Sequence, residues 1–111
     1  MDEQIEVRDN RDAGRFETDV DGKTAVLDYR LLDGRLRLVH TGVPPSLEGR
    51  GIGTRLARFA LDVARERDLD VLPDCPFVAS FIRRHPEYLE LVPADYPQRD
   101  RLERRRRVSG E

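Results

Sequence analysis

Glycines stand at positions 49, 51 and 53, inside the stretch Leu47-Glu48-Gly49-Arg50-Gly51-Ile52-Gly53-Thr54. A backbone that lacks a Cβ at alternate positions can turn several N–H groups toward one point and let an anion approach them closely. The residues that follow have a helical pattern. The first turn of a helix carries N–H groups without intrahelical partners and a partial positive charge, so loop and helix together suit a diphosphate. The same glycines would also serve a tight strand-to-helix connection with no ligand. The spacing is not Gly-X-Gly-X-X-Gly, and no Gly-Lys-Ser/Thr follows. The phosphate-bearing ligand is therefore expected to be something other than NAD or ATP.

Two further side chains can exchange protons near neutral pH. Cys75 is the only cysteine and precedes Pro76. Proline suits the first turn of a helix, and a sulfur at a helix N-terminus is favoured as thiolate. Asp74 beside it acts in the opposite sense, and a small buried filler is the other reading of this residue. His40 lies near the end of a strand, where an imidazole titrating at about 6.5 can take a proton. A packed, hydrogen-bonded histidine fits that position too. His85 and Tyr88 flank Pro86 and are read as structural.

The elements that must position these groups are legible from periodicity. Asp21-Gly22 and Asp33-Gly34 each sit between alternating apolar and polar residues, the signal of a tight hairpin. They predict three antiparallel strands with Phe16, Thr18 and Val20, then Ala25, Leu27, Tyr29 and Leu31, then Leu36 and Leu38 on one face. Ile5 and Val7 are expected to add a short strand before them. The third strand runs through His40 to Val43, where Pro44 and Pro45 end the ladder. A helix over about residues 51–67 then presents Ile52, Leu56, Phe59, Ala60 and Val63 on one face. Val71 and Leu72 predict a strand parallel to the one before the helix. A second helix starts at Phe77 and stops by Pro86. The fold class is α/β (α+β): an antiparallel meander continuing into a β-loop-α-β unit, a mixed sheet with helices packed on it.

The chain has 111 residues, enough for one core. Residues 1–96 are expected to form a single domain, with 97–111 a basic C-terminal tail, either a short helix or disordered. The formal net charge of -2 gives no global attraction to nucleic acid, although Arg99, Arg101 and Arg104 to Arg107 make the tail locally basic. No apolar run approaches the roughly 20 residues of a membrane span, and the start is acidic and polar. A cytoplasmic protein without membrane attachment is expected. The lone cysteine rules out an internal disulfide and a cysteine-cluster zinc site, and no metal is expected.

Residues 47–56 resemble the acetyl-CoA motif Gln/Arg-X-X-Gly-X-Gly/Ala of the GNAT N-acetyltransferases, with Glu48 in place of the initial Gln or Arg. His40-Thr41-Gly42-Val43-Pro44, Pro73-Asp74-Cys75-Pro76-Phe77-Val78 and Phe81-Ile82-Arg83-Arg84-His85-Pro86-Glu87-Tyr88 are similar to motifs of the small YjdJ-type or NATD1-like branch. In that branch an acidic residue often follows the His-Thr pair, where this chain has Gly42. The likeness covers about Arg15 to Val92.

The resemblance implies a minimal GNAT fold that binds acetyl-CoA or CoA as cosubstrate. Val43, Glu48, Gly49, Arg50, Gly51, Ile52, Gly53 and Thr54 would hold the cofactor, with backbone near Val43 pairing to pantetheine and Arg50 to Thr54 donating to the pyrophosphate. Cys75 would protonate the leaving thiol or accept the acetyl group, and His40 would take a proton from the amine. With almost no sequence before its first strands to build an acceptor pocket, the chain is expected to act on a flat or protein-borne amine as a monomer or weak dimer. A CoA-binding or protein-interaction module with little or no turnover is the alternative.

Overall fold

The alternation of β-formers around the two Asp-Gly pairs becomes a meander in the computed structural model, which describes residues 5–103. Strands β1 (Arg8–Asn10), β2 (Arg15–Val20), β3 (Lys23–Leu32), β4 (Arg35–Gly42) and β5 (Asp70–Pro73) form one sheet in chain order. The first four pair antiparallel and β5 runs parallel to β4. Asp21, Gly22, Asp33 and Gly34 all have φ between 54° and 77°. Both central residues of each turn are thus left-handed, as a two-residue hairpin requires.

Helix α1 (Ile52–Glu66) forms the crossover between β4 and β5, and α2 (Pro76–Arg84) follows β5. Both helices pack on the same sheet face, where Phe16, Ala25, Leu27, Leu36, Leu38 and Val71 meet Leu56, Ala60, Leu61, Val78, Phe81 and Ile82. The ring of Phe16 joins the layers, 4.7 Å from Tyr29 on β3 and 5.6 Å from Phe59 on α1. Pro86 does more than end α2. It opens a 3-10 helix, Pro86–Leu91, whose Tyr88 is buried and donates its hydroxyl to Asp62 Oδ1 on α1 at 2.9 Å.

The structure corrects three local expectations. Ile5 and Val7 form no strand; β1 begins at Arg8, and the preceding segment is held by Thr18 Oγ1 donating to the Glu6 carbonyl at 2.7 Å. Leu31, read as inward, is half-exposed because it lies next to the hairpin end. Glu17, which alternation puts on the face opposite Phe16 and Thr18, is buried: β1 lies beside it, and Arg8 and Arg15 close over its carboxylate. Segment 97–111 starts with a 3-10 helix, Arg99–Leu102, whose Leu102 is in the core. Residues 104–111 lie outside the described residues.

The hydrogen bond from Arg15 is the largest influence on Glu17. With those from Arg8 and Asn10 it outweighs desolvation and holds the carboxyl below its usual 4.5. A depressed folded-state pKa contributes stability above the unfolded value, which is lost as pH falls through the folded one. Wild type should lose more melting temperature than Glu17→Gln between pH 7 and acid conditions below 4.5. Equal acid slopes for the two proteins would show that the clamp contributes nothing.

Candidate functional site

A register shift in the β3–β4 ladder shapes the site. Tyr29 pairs with Leu38, but Asp28 pairs with His40, so Val39 has no opposite residue and β4 carries a bulge there. The extra residue reverses the alternation beyond it. Leu36 and Leu38 point into the core, whereas the next inward residue is Thr41, opposite buried Leu27. His40 is turned to the outer face beside Val26 and Gly42, and it is exposed.

The bulge coincides with the end of the parallel pair. Strand β5 accompanies β4 only as far as Leu38–Pro73, after which the Cys75 N–H donates to the Leu38 carbonyl at 2.8 Å and the chain turns into α2. From Val39 to Gly42, β4 therefore has a strand neighbour on its β3 side alone. The other edge opens into a cleft of about 510 Å³ between β4, the glycine loop and the start of α2. Its wall comprises His40 to Val43, Leu47 to Gly49, Gly51 to Thr54 and Phe77.

Gly49 and Gly51 have φ of 83° and 76°, and a Cβ added to either would meet nothing within 4 Å. They supply left-handed turns beside open space, and Gly51 is the N-cap of α1. Neither a side-chain cap nor an acidic residue occupies the first turn of α1. Its N–H donors are left for something in the cleft. These features fit a diphosphate. Gly53 differs: a Cβ there would lie 3.0 Å from Phe77 Cζ. Its missing side chain seats the ring of Phe77 against α1.

The sequence-predicted residues divide accordingly. His40, Val43, Glu48, Gly49, Gly51, Ile52, Gly53 and Thr54 all line the cleft. Arg50 and Cys75 do not. The Arg50 guanidinium pairs with Asp21 Oδ2 at 2.9 Å, tying the loop to the β2–β3 turn. Cys75 is the N-cap of α2, almost fully buried, with Sγ 3.2 Å from Thr41 Oγ1. Its neighbour Asp74 is engaged by Arg37 and accepts from the Tyr96 hydroxyl at 2.8 Å. Burial first, then Asp74, pushes the pKa of Tyr96 up to about 12.

Sequence reading missed Thr41, Gly42, Leu47 and Phe77 in the cleft wall. Thr41 was concealed by the bulge, which simple alternation cannot register. Phe77 belongs by periodicity to the helical face of Val78, Phe81 and Ile82, and only its packing on Gly53 puts it in the cleft wall. Gly53→Ala tests its seat. The substitution gains helix propensity of up to about 1 kcal/mol, offset by a ring displaced by a few tenths of an ångström, so stability should barely change. Affinity for CoA should fall, and Phe77→Leu in the same chain should restore it. Calorimetric titration of the single and double variants decides this, and equal affinity of Gly53→Ala and wild type would remove Phe77 from the binding wall.

Among the described residues no group of three or more His, Cys, Asp or Glu could hold a metal ion. No described helix is long and apolar enough to cross a membrane.

A family model described as GCN5-related N-acetyl-transferase matches residues 15–91. Protein NATD1 of Homo sapiens is 35% identical over 91 residues, covering 78% of this chain and 80% of the relative. NATD1 of Gallus gallus is 35% identical, covering 78% and 83%. The NMR solution structure of a GCN5-like protein from Staphylococcus aureus superposes with a TM-score of 0.62 at 23% identity, covering 84% of this chain and 95% of that one.

Proposed function

Because the chain belongs to the GCN5-related N-acetyltransferase family, we propose that it transfers the acetyl group of acetyl-CoA to an amine, with the cleft beside β4 as the cofactor site. The observation that carries this reading is one juxtaposition. The unpaired edge of β4 and the uncapped N-terminus of α1 face the same cleft, one suited to an amide-bearing arm and the other to a diphosphate.

The bound thioester would supply an activated acetyl carbon. The protein's part is positional and protonic. Backbone groups from Val39 to Val43, at and just past the end of β4, pair with the amides of the pantetheine arm and hold it as a short extra strand. Backbone N–H groups from Gly49 to Thr54 hold the diphosphate, and the Arg50–Asp21 pair fixes the loop that presents them. His40, exposed on the outer sheet face at the edge of the cleft, takes the proton of an approaching ammonium so that the amine attacks in neutral form. Cys75 serves the thiol side from beneath the wall. An imidazole open to solvent on a sheet face is accessible to an amine carried by another protein. The reading places a monomer or weak dimer in the cytoplasm.

A binding module with little turnover is the second reading. Two observations favour it: the Glu48 carboxylate lines the cleft meant for a polyanion, and Gly42 places no acid beside His40 Nε2. Titration with acetyl-CoA and CoA, followed by thiol release assayed with and without small amines and polylysine, separates the two. Binding with amine-stimulated release supports the transferase, whereas binding without stimulation supports the module. No binding up to millimolar ligand overturns both.

A further inference from the structure

We infer that Thr41 is the catalytic hydroxyl that meets the departing thiolate of CoA, and that Cys75 is a positioning residue that aims it. This inference rests on the acetyl-transfer reading. The cleft wall contains four protic or titratable side chains: His40, Thr41, Glu48 and Thr54. Glu48 directly precedes the glycine loop, at the diphosphate end. Thr54 sits in the first turn of α1, at the diphosphate end. His40 and Thr41 are consecutive and so face opposite sides of the sheet, and the bulge at Val39 decides which, turning His40 to the outer face and Thr41 to the inner. One strand position thus separates the group that serves the amine from the group that serves the sulfur.

Tyrosines are not available for the second task. Tyr29, Tyr88 and Tyr96 are the only three, and each gives its hydroxyl to an aspartate away from the cleft: Asp9, Asp62 and Asp74.

The Thr41–Cys75 contact has a direction. A hydroxyl has one proton and two lone pairs, while a thiol has one proton. Among the described residues Thr41 Oγ1 is the sole hydrogen-bonding partner of the Cys75 sulfur. If Thr41 donated, the buried S–H would be left without an acceptor and the hydroxyl proton would be spent inside the wall. If Cys75 donates, the buried S–H is satisfied and the Thr41 proton is free to point into the cleft. As the amine nitrogen bonds to the acetyl carbon, the C–S bond breaks and its electron pair goes to the CoA sulfur, where the Thr41 O–H donates to the new thiolate. Neither Thr41 nor Cys75 changes covalently. His40, having passed the ammonium proton to solvent, takes the proton shed by the acylated nitrogen, and the thiolate is protonated by water as it leaves.

The test reads the thiol itself. Cys75 is the only cysteine, so in a Cys75→Ser background CoA carries the only thiol, and serine keeps the donor to Thr41. Thiolate absorbance of bound CoA, titrated against pH, should show a pKa about one unit below that of free CoA, the tenfold preference that one hydrogen bond to an anion represents. Adding Thr41→Val should return it to the free value, with calorimetric CoA affinity unchanged below the pKa of the bound thiol and about tenfold weaker above that of the free one, and Thr41→Ser should keep it low. Tight binding with a pKa indifferent to Thr41→Val overturns the assignment. So does mass-spectrometric detection of acetyl-Cys75 in wild type after incubation with acetyl-CoA. Absence of CoA binding in wild type refutes the cofactor reading and this inference with it.

Discussion

Gly51→Asp is expected to weaken CoA binding at least about 100-fold, beyond about 2.7 kcal/mol, while the protein stays folded. The fold should tolerate the change on two grounds. A Cβ at this position meets nothing within 4 Å, so there is no clash to relieve. The backbone is left-handed, with φ 76°, which costs a non-glycine residue about 1–2 kcal/mol, and aspartate is among the residues that accept it best. Against a native stability of about 5–15 kcal/mol this shifts the melting point without unfolding the chain. Binding suffers for reasons the fold does not feel. The new carboxylate sits at the N-cap of α1, where it competes for the N–H donors a diphosphate would use and repels the diphosphate as well. Gly51→Ala carries the backbone strain without the charge and should lose far less affinity. Calorimetry with CoA on the three proteins separates the effects. If Gly51→Asp binds as wild type does, the glycine loop is not where the phosphates lie.

Local rules explain how much of this site could be read before the structure. The two Asp-Gly turns, the strands beside them and α1 depend on nearest-neighbour chemistry, and the structure has them where alternation and the 3.6-residue period put them. The glycine loop was legible for the same reason, being a backbone requirement written in residue type. What escaped depends on contacts distant in sequence. Glu17 became a buried carboxylate because β1 lies beside it and brings Arg8 over it to join Arg15. The bulge at Val39 is fixed by how β3 and β4 pair across the hairpin, and no residue at 39 announces it. Its consequence for the site is large, since one unpaired residue decides that Thr41 faces Cys75 and that His40 faces out. The same distance effect accounts for Arg50. The resemblance puts Arg50 among the donors to a pyrophosphate, and what no local rule shows is that Asp21, brought near by the β2–β3 turn, engages its side chain.

Phe81→Ala should be the most damaging single truncation for stability, and its effect should reach the cleft. The ring is fully buried, tilted against His85 at 4.2 Å and Tyr88 at 5.9 Å, with the Arg58 guanidinium 5.3 Å from its centroid. It therefore joins α2, the 3-10 helix after it and α1. Removing a buried phenylalanine costs about 3–5 kcal/mol in transfer energy and residual cavity. At roughly 4–8 °C per kcal/mol for a domain of this size, the melting temperature should fall by more than about 12 °C. Helix α2 spans only Pro76–Arg84, too short to persist in water without packing, and of its residues only Val78, Phe81 and Ile82 are buried. Loosening it frees the Cys75 N-cap and the Phe77 ring together, so CoA affinity should drop even at temperatures where the variant is folded. Phe77→Ala is the complementary case: the residue is 37% exposed, so stability should fall by only about 1–2 kcal/mol while affinity falls. Thermal melts and CoA titrations of the two variants should thus dissociate, one losing both properties heavily and the other mainly affinity. A loss under about 1 kcal/mol for Phe81→Ala would mean that α2 is not anchored as described, and the cleft wall it carries would have to be placed anew.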